Sequence, residues 1–351
     1  MDPLKNFKWR DPPNLGALSV FKYFLTLGIV AMEGRGFEYP KDTWMSNSGR
    51  IYVPSQSRDY GERGVRITIL DIDSGFFGTF GHYGTDPGKL ISPTSITANA
   101  EEELFICDDY TNLVNVFDVE GKFLRRWGLG GTEAGSLSGP SSISFDSDWN
   151  VLISDTRNHR IQKFSQEGKL LDIFGTEGRG EVEFNLPWGI TCDSADNIYV
   201  CDWGNNRVQK LDANGKYVGE FTSAGSRPNV LNHPSSVTII NDEYLCVADW
   251  GNETVKLLDQ NDNLMQELRG EAGLSKWAQD FMNTNQEEHL ARESANLEVS
   301  LDFLEDRTPH AESAHIEKYF RSPVSVKLDQ SGMLHVTDSN RHRIQVYKPV
   351  S

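Results

Sequence analysis

Four prolines, Pro93, Pro140, Pro187 and Pro234, follow one another at intervals of 47 residues. Each is followed 15 residues later by an aspartate, Asp108, Asp155, Asp202 and Asp249. Pro323 leads to Asp338 by the same step, and Pro40 leads to Ser55, where the aspartate is replaced. A fixed period of this size marks a supersecondary unit that stacks on copies of itself. The unit is clearest at Leu186–Thr222, where four short apolar runs are separated by turns rich in Asp, Asn and Gly. That pattern predicts a four-stranded antiparallel meander. Six such sheets, none able to bury both faces alone, predict an all-β chain folded as a six-bladed propeller.

A propeller must close or it leaves open strand edges. The outer strand begins nine residues after the third-strand start, at Lys122, Lys169 and Lys216. In the last unit that start would fall at position 352 of a 351-residue chain. The missing strand stands at the other terminus: "KYFLTLG" (Lys22–Gly28) matches "KFLRRWG" (Lys122–Gly128) and "KLLDIFG" (Lys169–Gly175). The N-terminal strand is therefore expected to complete the last blade. Residues 1–19 form an N-terminal arm, and 20–351 one propeller domain.

The runs "DNIYVCDWGNNRVQKL" (196–211), "WNVLISDTRNHRIQKF" (149–164) and "GMLHVTDSNRHRIQVY" (332–347) resemble NHL repeats. The resemblance implies the propeller fold, and a fold hosts many functions. The best-known enzyme of that family, the peptidyl-hydroxyglycine lyase of peptide amidation, carries zinc-binding histidines directly after the blade-opening prolines. The matching positions here are Lys41, Thr94, Ser141, Trp188, Ser235 and Val324, so the zinc triad is absent and its activity does not carry over.

Acidic residues outnumber basic ones by 51 to 34, a formal charge of -17. A surface that negative repels phosphate backbones, so nucleic acid is not an expected partner. Cys107, Cys192, Cys201 and Cys246 show no metal-ligand spacing and read as buried thiols. Reduced thiols favour a cytoplasmic location; the alternative is export, with residues 1–32 acting as a signal. No run reaches transmembrane length, so no membrane partner is expected.

The frame breaks twice. Pro40 to Pro93 spans 53 residues, six more than the period, and the excess lies in "SQSRDYGERGV" (55–65). Pro234 to Pro323 spans 89, which is 42 more, and this excess occupies roughly 271–320, between blades 5 and 6. Both insertions fall in loop classes that share one face of a propeller. A loop this long implies a lid, an arm or a mobile segment. Trp277 and Phe281 at i, i+4, and Leu297, Leu301 and Leu304 at i, i+4, i+7, predict a partly helical insertion. It is read first as a lid over the channel mouth, and second as an arm for homo-oligomerisation.

The candidate site lies on that face. Trp188, Trp203 and Trp250 form an aromatic platform there, with Arg35, Arg58 and Tyr60 as further ligand-binding candidates. His233, immediately before Pro234, is the first catalytic candidate, joined by His82, Arg179 and Tyr39. His159 and His342 lie in loops of the same face, and the insertion adds His289, His310 and His315. The cofactor is unassigned, a divalent metal ion in the channel being the one such histidines would hold, with no metal ligands assigned. The strand-ending aspartates are expected to brace turns and to pair with Arg160, Arg207 and Arg343. These residues favour a lyase or hydrolase acting on a small polar or aromatic molecule or a peptide. The alternative is a non-catalytic module that binds a protein or ligand.

Overall fold

A computed structural model describes residues 20–57, 62–222 and 230–350. Among these, six four-stranded antiparallel sheets form the blades. Blades 2 to 5 open at Pro93, Pro140, Pro187 and Pro234, and the sixth opens at Pro323. In each of these five the proline lies directly opposite the aspartate 15 residues on, as in Pro187↔Asp202, so the repeat step is the length of one hairpin. The first blade comprises Trp44–Met45, Arg50–Ser55, Arg66–Asp71 and Phe76–Phe80. Val20–Leu27 pairs antiparallel with Arg343–Val350, from Val20↔Val350 to Leu27↔Ile344, and supplies the outer strand of blade 6. The ring is closed by the two ends of the chain, as the repeat arithmetic predicts.

Each strand-ending aspartate braces its own blade. Asp202 accepts the Asn185 backbone N–H at 2.7 Å through Oδ1, and Arg207 Nε at 2.8 Å and Asn205 Nδ2 at 2.9 Å through Oδ2. Asp155 with Arg160 and Asp338 with Arg343 repeat the ion pair at 2.8 Å. In blade 5 a lysine takes over: Lys256 Nζ lies 2.6 Å from Asp249. A buried charge is tolerated only when paired and hydrogen-bonded, and these carboxylates meet both conditions. In blade 1, Arg66 keeps its place opposite Ser55, but its buried guanidinium donates to the carbonyls of Ala31 at 2.8 Å and Gly36 at 3.3 Å. Burial holds its pKa below the ordinary value.

Neighbouring blades are latched near the axis in three layers. The first residue after the proline donates to the next blade's backbone, as Thr94 does to Pro140 O at 2.8 Å and Ser235 to Pro323 O at 3.0 Å. The second residue accepts an N–H from the next blade: Ile143 to Ser95, Ile190 to Ser142 and Val326 to Ser236, all at 3.2–3.3 Å. In the third layer, the residue before the proline donates its N–H to the turn of the preceding blade everywhere except at Pro93, where Ser92 donates to Asp108 of its own blade. Gly139 meets Asn112 at 2.7 Å, Leu186 meets His159 at 3.2 Å, His233 meets Asn206 at 2.8 Å and Tyr39 meets His342 at 3.1 Å.

Farther from the axis, aromatic side chains seal the junctions. Trp127 of blade 2 covers Gly168 of blade 3, where a Cβ would come within 2.6 Å of the indole. At the junction of blades 6 and 1 the equivalent residue is only Leu27, and the insertion supplies the missing ring. Its first helix, α1 (Lys276–Thr284), is capped by Ser275 and buries Trp277 against Phe37 and Phe76. The second and third helices are α2 (Gln286–Ser294) and α3 (Pro309–His315). Residues 297–304, predicted to be helical, form only turns. The short polar side chains there bond locally instead, Ser300 to Asp302 at 2.6 Å, and Arg307 beyond them reaches back to Asp302 at 2.8 Å. No helix among the described residues is long and apolar enough to cross a membrane.

Candidate functional site

The innermost strands run along the axis, so alternate residues of each face the channel. In blades 2 to 6 the register shifts just after the opening proline, which brings both of the next two residues to the mouth, where they form two rings. They line a cavity of about 100 Å³ together with Gln56, Asp109 and Lys327. The first ring reads Lys41, Thr94, Ser141, Trp188, Ser235 and Val324, and the second Asp42, Ser95, Ser142, Gly189, Ser236 and Ser325. In a ring of six, blade 1 stands opposite blade 4, so Lys41 faces Trp188. The residue after each strand-ending position forms a third, outer ring, in which Gln56 stands opposite Trp203 and Asp109 opposite Trp250.

The mouth is thus divided. On one side Trp188, Trp203, His233 and Trp250 form a continuous half-buried cluster. Ring centroids are 5.7 Å apart for Trp188–Trp203, 4.1 Å for Trp203–His233 and 6.0 Å for Trp203–Trp250. The His233 Nδ1 lies 2.5 Å from Asn232 Oδ1, an acceptor, so the proton belongs on Nδ1 and Nε2 is left as the basic atom. On the other side, Gln56 Nε2 donates to Ser92 Oγ at 2.8 Å, and Ser92 also bonds the Asp109 carboxyl. Burial is the largest influence on Asp109 and raises its pKa, with Asp108 adding to the effect and Arg157 and Lys41 opposing it.

Beneath them lies Asp42, buried and fully engaged. Oδ1 accepts Ser325 Oγ at 2.5 Å and Thr43 N at 2.9 Å, while Oδ2 accepts Ser95 Oγ at 2.7 Å and Ile96 N at 3.1 Å. The Lys327 ammonium stands 3.8 Å away. The bond from Ser325 to Asp42 also crosses the junction that closes the ring.

The other candidates named from the sequence lie elsewhere. Tyr39 stacks edge-on against His342 at 4.5 Å in the junction of blades 6 and 1. His82 and Arg179 are exposed on loops between blades, and partial desolvation, Lys89 and Arg66 lower the His82 pKa. Arg35 reaches Asp280 of α1 at 3.4 Å. Arg58 and Tyr60 fall outside the described residues. His159 and His342 serve as latch acceptors. In the insertion, His310 bonds Glu253 at 2.7 Å, Glu312 pairs with Arg269 at 2.7 Å, and His315 meets the Phe303 ring at 5.0 Å. Among the described residues no group of three or more His, Cys, Asp and Glu could hold a metal ion. None of the residues lining the cavity comes from the insertion; α3 stands beside the Trp250–Asn252 turn, and α1 lies on the flank.

Asp109, Lys41, Asp42 and Lys327 were not singled out from sequence. The signal for Asp109 was present: it holds the place that Trp203 and Trp250 hold in blades 4 and 5. A larger groove, about 500 Å³, lies between blades 1 and 2 on the face of tight turns. Its Arg50 is held by Glu120 at 2.9 Å and covers the Phe77 ring, and Tyr52 donates to Val119 O at 2.9 Å. The groove's polar groups are engaged with one another, so the smaller mouth is the better candidate.

A model of the NHL repeat matches residues 137–164, 184–211 and 320–347, in blades 3, 4 and 6. Similar solved structures include a catalytically inactive variant of virginiamycin B lyase from Staphylococcus aureus with quinupristin. It is 13% identical, with 94% of this chain and 100% of that chain covered and a TM-score of 0.54. A protein of unknown function from Bacteroides thetaiotaomicron is 15% identical over 91% of this chain and 71% of that one, with a TM-score of 0.57. The WD40 propeller domain of Doa1 is 14% identical over 93% and 97%, with a TM-score of 0.52. No curated protein sequence gives a match.

Proposed function

We propose that this chain, a six-bladed propeller carrying NHL repeats, binds a small molecule with an aromatic or flat apolar part at its channel mouth and acts on it as a lyase or hydrolase. The observation that carries this reading is the division of the channel mouth into an aromatic half that holds His233 and a polar half that holds Asp109. The cavity of about 100 Å³ is far below the roughly 300–1,000 Å³ of a pocket that encloses a drug-sized ligand. A polar head group enters the channel, and the ring lies outside on Trp188, Trp203 and Trp250. His233 Nε2 takes a proton from the bound molecule, and the Asp109 carboxyl, whose pKa burial raises, is the group placed to return one to the leaving group. A divalent ion in the channel has no ligand cluster to hold it among the described residues, so no step is routed through one.

The lyases among the structural neighbours support the reading only in that they share the fold. The small cavity favours a second reading, a non-catalytic module that presents the Trp surface to a ligand or protein. Turnover of p-nitrophenyl acetate and of quinupristin, followed by absorbance and by mass spectrometry, separates the two. Wild-type turnover lost in both His233→Ala and Trp188→Ala supports the enzyme. Turnover that survives both substitutions refutes the assignment of the site. Binding without turnover of either probe selects the non-catalytic module.

A further inference from the structure

Gln56, whose Nε2 donates to Ser92 and Pro93 O, leaves one acceptor in the channel, and the capacity left over on the hydroxyl groups is all donor. The hydroxyl protons of Thr94, Ser141 and Ser235 go to main-chain carbonyls, and those of Ser95 and Ser325 go to Asp42. Ser142 and Ser236 are different. Their oxygens accept the N–H groups of Ile190 and Val326, and no acceptor for their own protons stands among the described residues. Both are buried, and they flank blade 4, whose corresponding residue is Gly189. Gly189 is forced by packing, since a Cβ would lie 2.6 Å from Ser235 O. Two hydroxyl protons are therefore available directly below Trp188.

The charges point the same way. Asp42 already accepts four donors, so it has little left to offer a ligand. The other lining carboxylate, Asp109, is already bonded by Ser92 and faced by the charges of Arg157 and Lys41. Among the described residues that line the cavity, Lys41 and Lys327 are the cationic ones, and neither can accept a hydrogen bond. A wall of donors recognises a group of acceptors.

We infer that the head group entering the channel is a carboxylate, and that the ligand class is an aromatic carboxylic acid seated with its ring on Trp188 and its acid between Ser142, Ser236 and the lysine ammoniums. This inference rests on the site assigned above and adds the charge and polarity of its ligand. The global charge of -17 disfavours any anion at long range, so affinity for one has to come from these local donors.

Calorimetric titration with phenylacetate, phenylacetamide and phenethylammonium tests it, because the three share one ring and differ in head group. The expected order is phenylacetate about tenfold tighter than phenylacetamide, with phenethylammonium weakest, as charge-assisted bonds exceed neutral ones. Lys327→Met and Lys41→Met should each bring phenylacetate down toward the amide and leave the amide unchanged. Circular dichroism and a retained thermal midpoint check that these variants fold, and Lys41→Arg should restore the preference. Phenethylammonium binding as tightly as phenylacetate overturns the inference, as does a preference untouched by either lysine substitution. If no probe binds, or if Trp188→Ala leaves all binding unchanged, it is the site assignment that fails.

Discussion

Trp277 offers the sharpest test of how the ring is held shut. It is the one insertion residue that enters the core cluster between the last and first blades, beside Leu27, Phe37, Ile51, Val53 and Ile344. The residue is 3% exposed, and its Nε1 donates to Ser74 O at 2.7 Å. Truncating a buried aromatic to alanine costs about 3–5 kcal/mol, the spread reflecting how far the site collapses. Here collapse is hindered, because Leu27 and Ile51 belong to separate blades fixed by their own strand ladders. About 1 kcal/mol of that range is the lost indole hydrogen bond. A total near 4 kcal/mol is the working figure.

Melting entropy runs at roughly 2.1 cal/mol/K per residue, or about 0.7 kcal/mol/K for this chain. Trp277→Ala should therefore lower the thermal midpoint by about 5–6 °C in differential scanning calorimetry. Phe281, on the same helix but 44% exposed, is the internal control, and Phe281→Ala should move the midpoint by less than about 1 °C. Trp277→Phe, which keeps a ring but not the donor, should fall between. If Trp277→Ala shifts the midpoint no more than Phe281→Ala does, the insertion is not a structural part of the junction, and the reasoning is refuted.

Two further expectations concern the latches and the acid. His342→Ala should cost about 1 kcal/mol by leaving the Tyr39 N–H without its acceptor, whereas His342→Asn should be nearly neutral in the same calorimetric scan, because Asn112 and Asn206 do this job in other blades. Burial raises the Asp109 pKa, so the folded state holds that proton more tightly than the unfolded state, and this group's contribution to stability falls as pH rises through the carboxylate range. Asp109→Asn should therefore raise the midpoint at neutral pH, with the gain fading toward pH ~4; a lowered midpoint at neutral pH would mean that Lys41 and Arg157 outweigh burial.

What was legible in the sequence, and what was not, divides along a physical line. The proline-to-aspartate step was readable because it is a hairpin length, and every hairpin of the ring must have it. The closing strand was readable because an open edge is costly in any sheet. The role of Trp277 was not, since a helical i, i+4 pair says that a face is apolar but not which surface it covers. The latch role of His159 and His342 was not readable for a related reason. A histidine in a turn suggests chemistry when taken alone, yet here it occupies the place that Asn112 and Asn206 fill, and an asparagine there can only be a structural acceptor.

That comparison of places carries over to the mouth. At the position after the strand-ending residue the blades read Gln56, Asp109, Thr156, Trp203, Trp250 and Ser339, and no backbone duty explains the contrast between Asp109 and Trp250. One position farther along the inner strands, Ser95, Ser142 and Ser236 vary little, because each accepts an N–H from the next blade. Symmetry imposes what the repeats have in common; the ligand proposed above, approaching off the axis, would give one side of the ring a reason to differ from the other. The aromatic cluster on blades 4 and 5 facing Lys41, Gln56 and Asp109 on blades 1 and 2 is such a difference, and it is why a site built from unremarkable loop residues stands out against the frame that holds it.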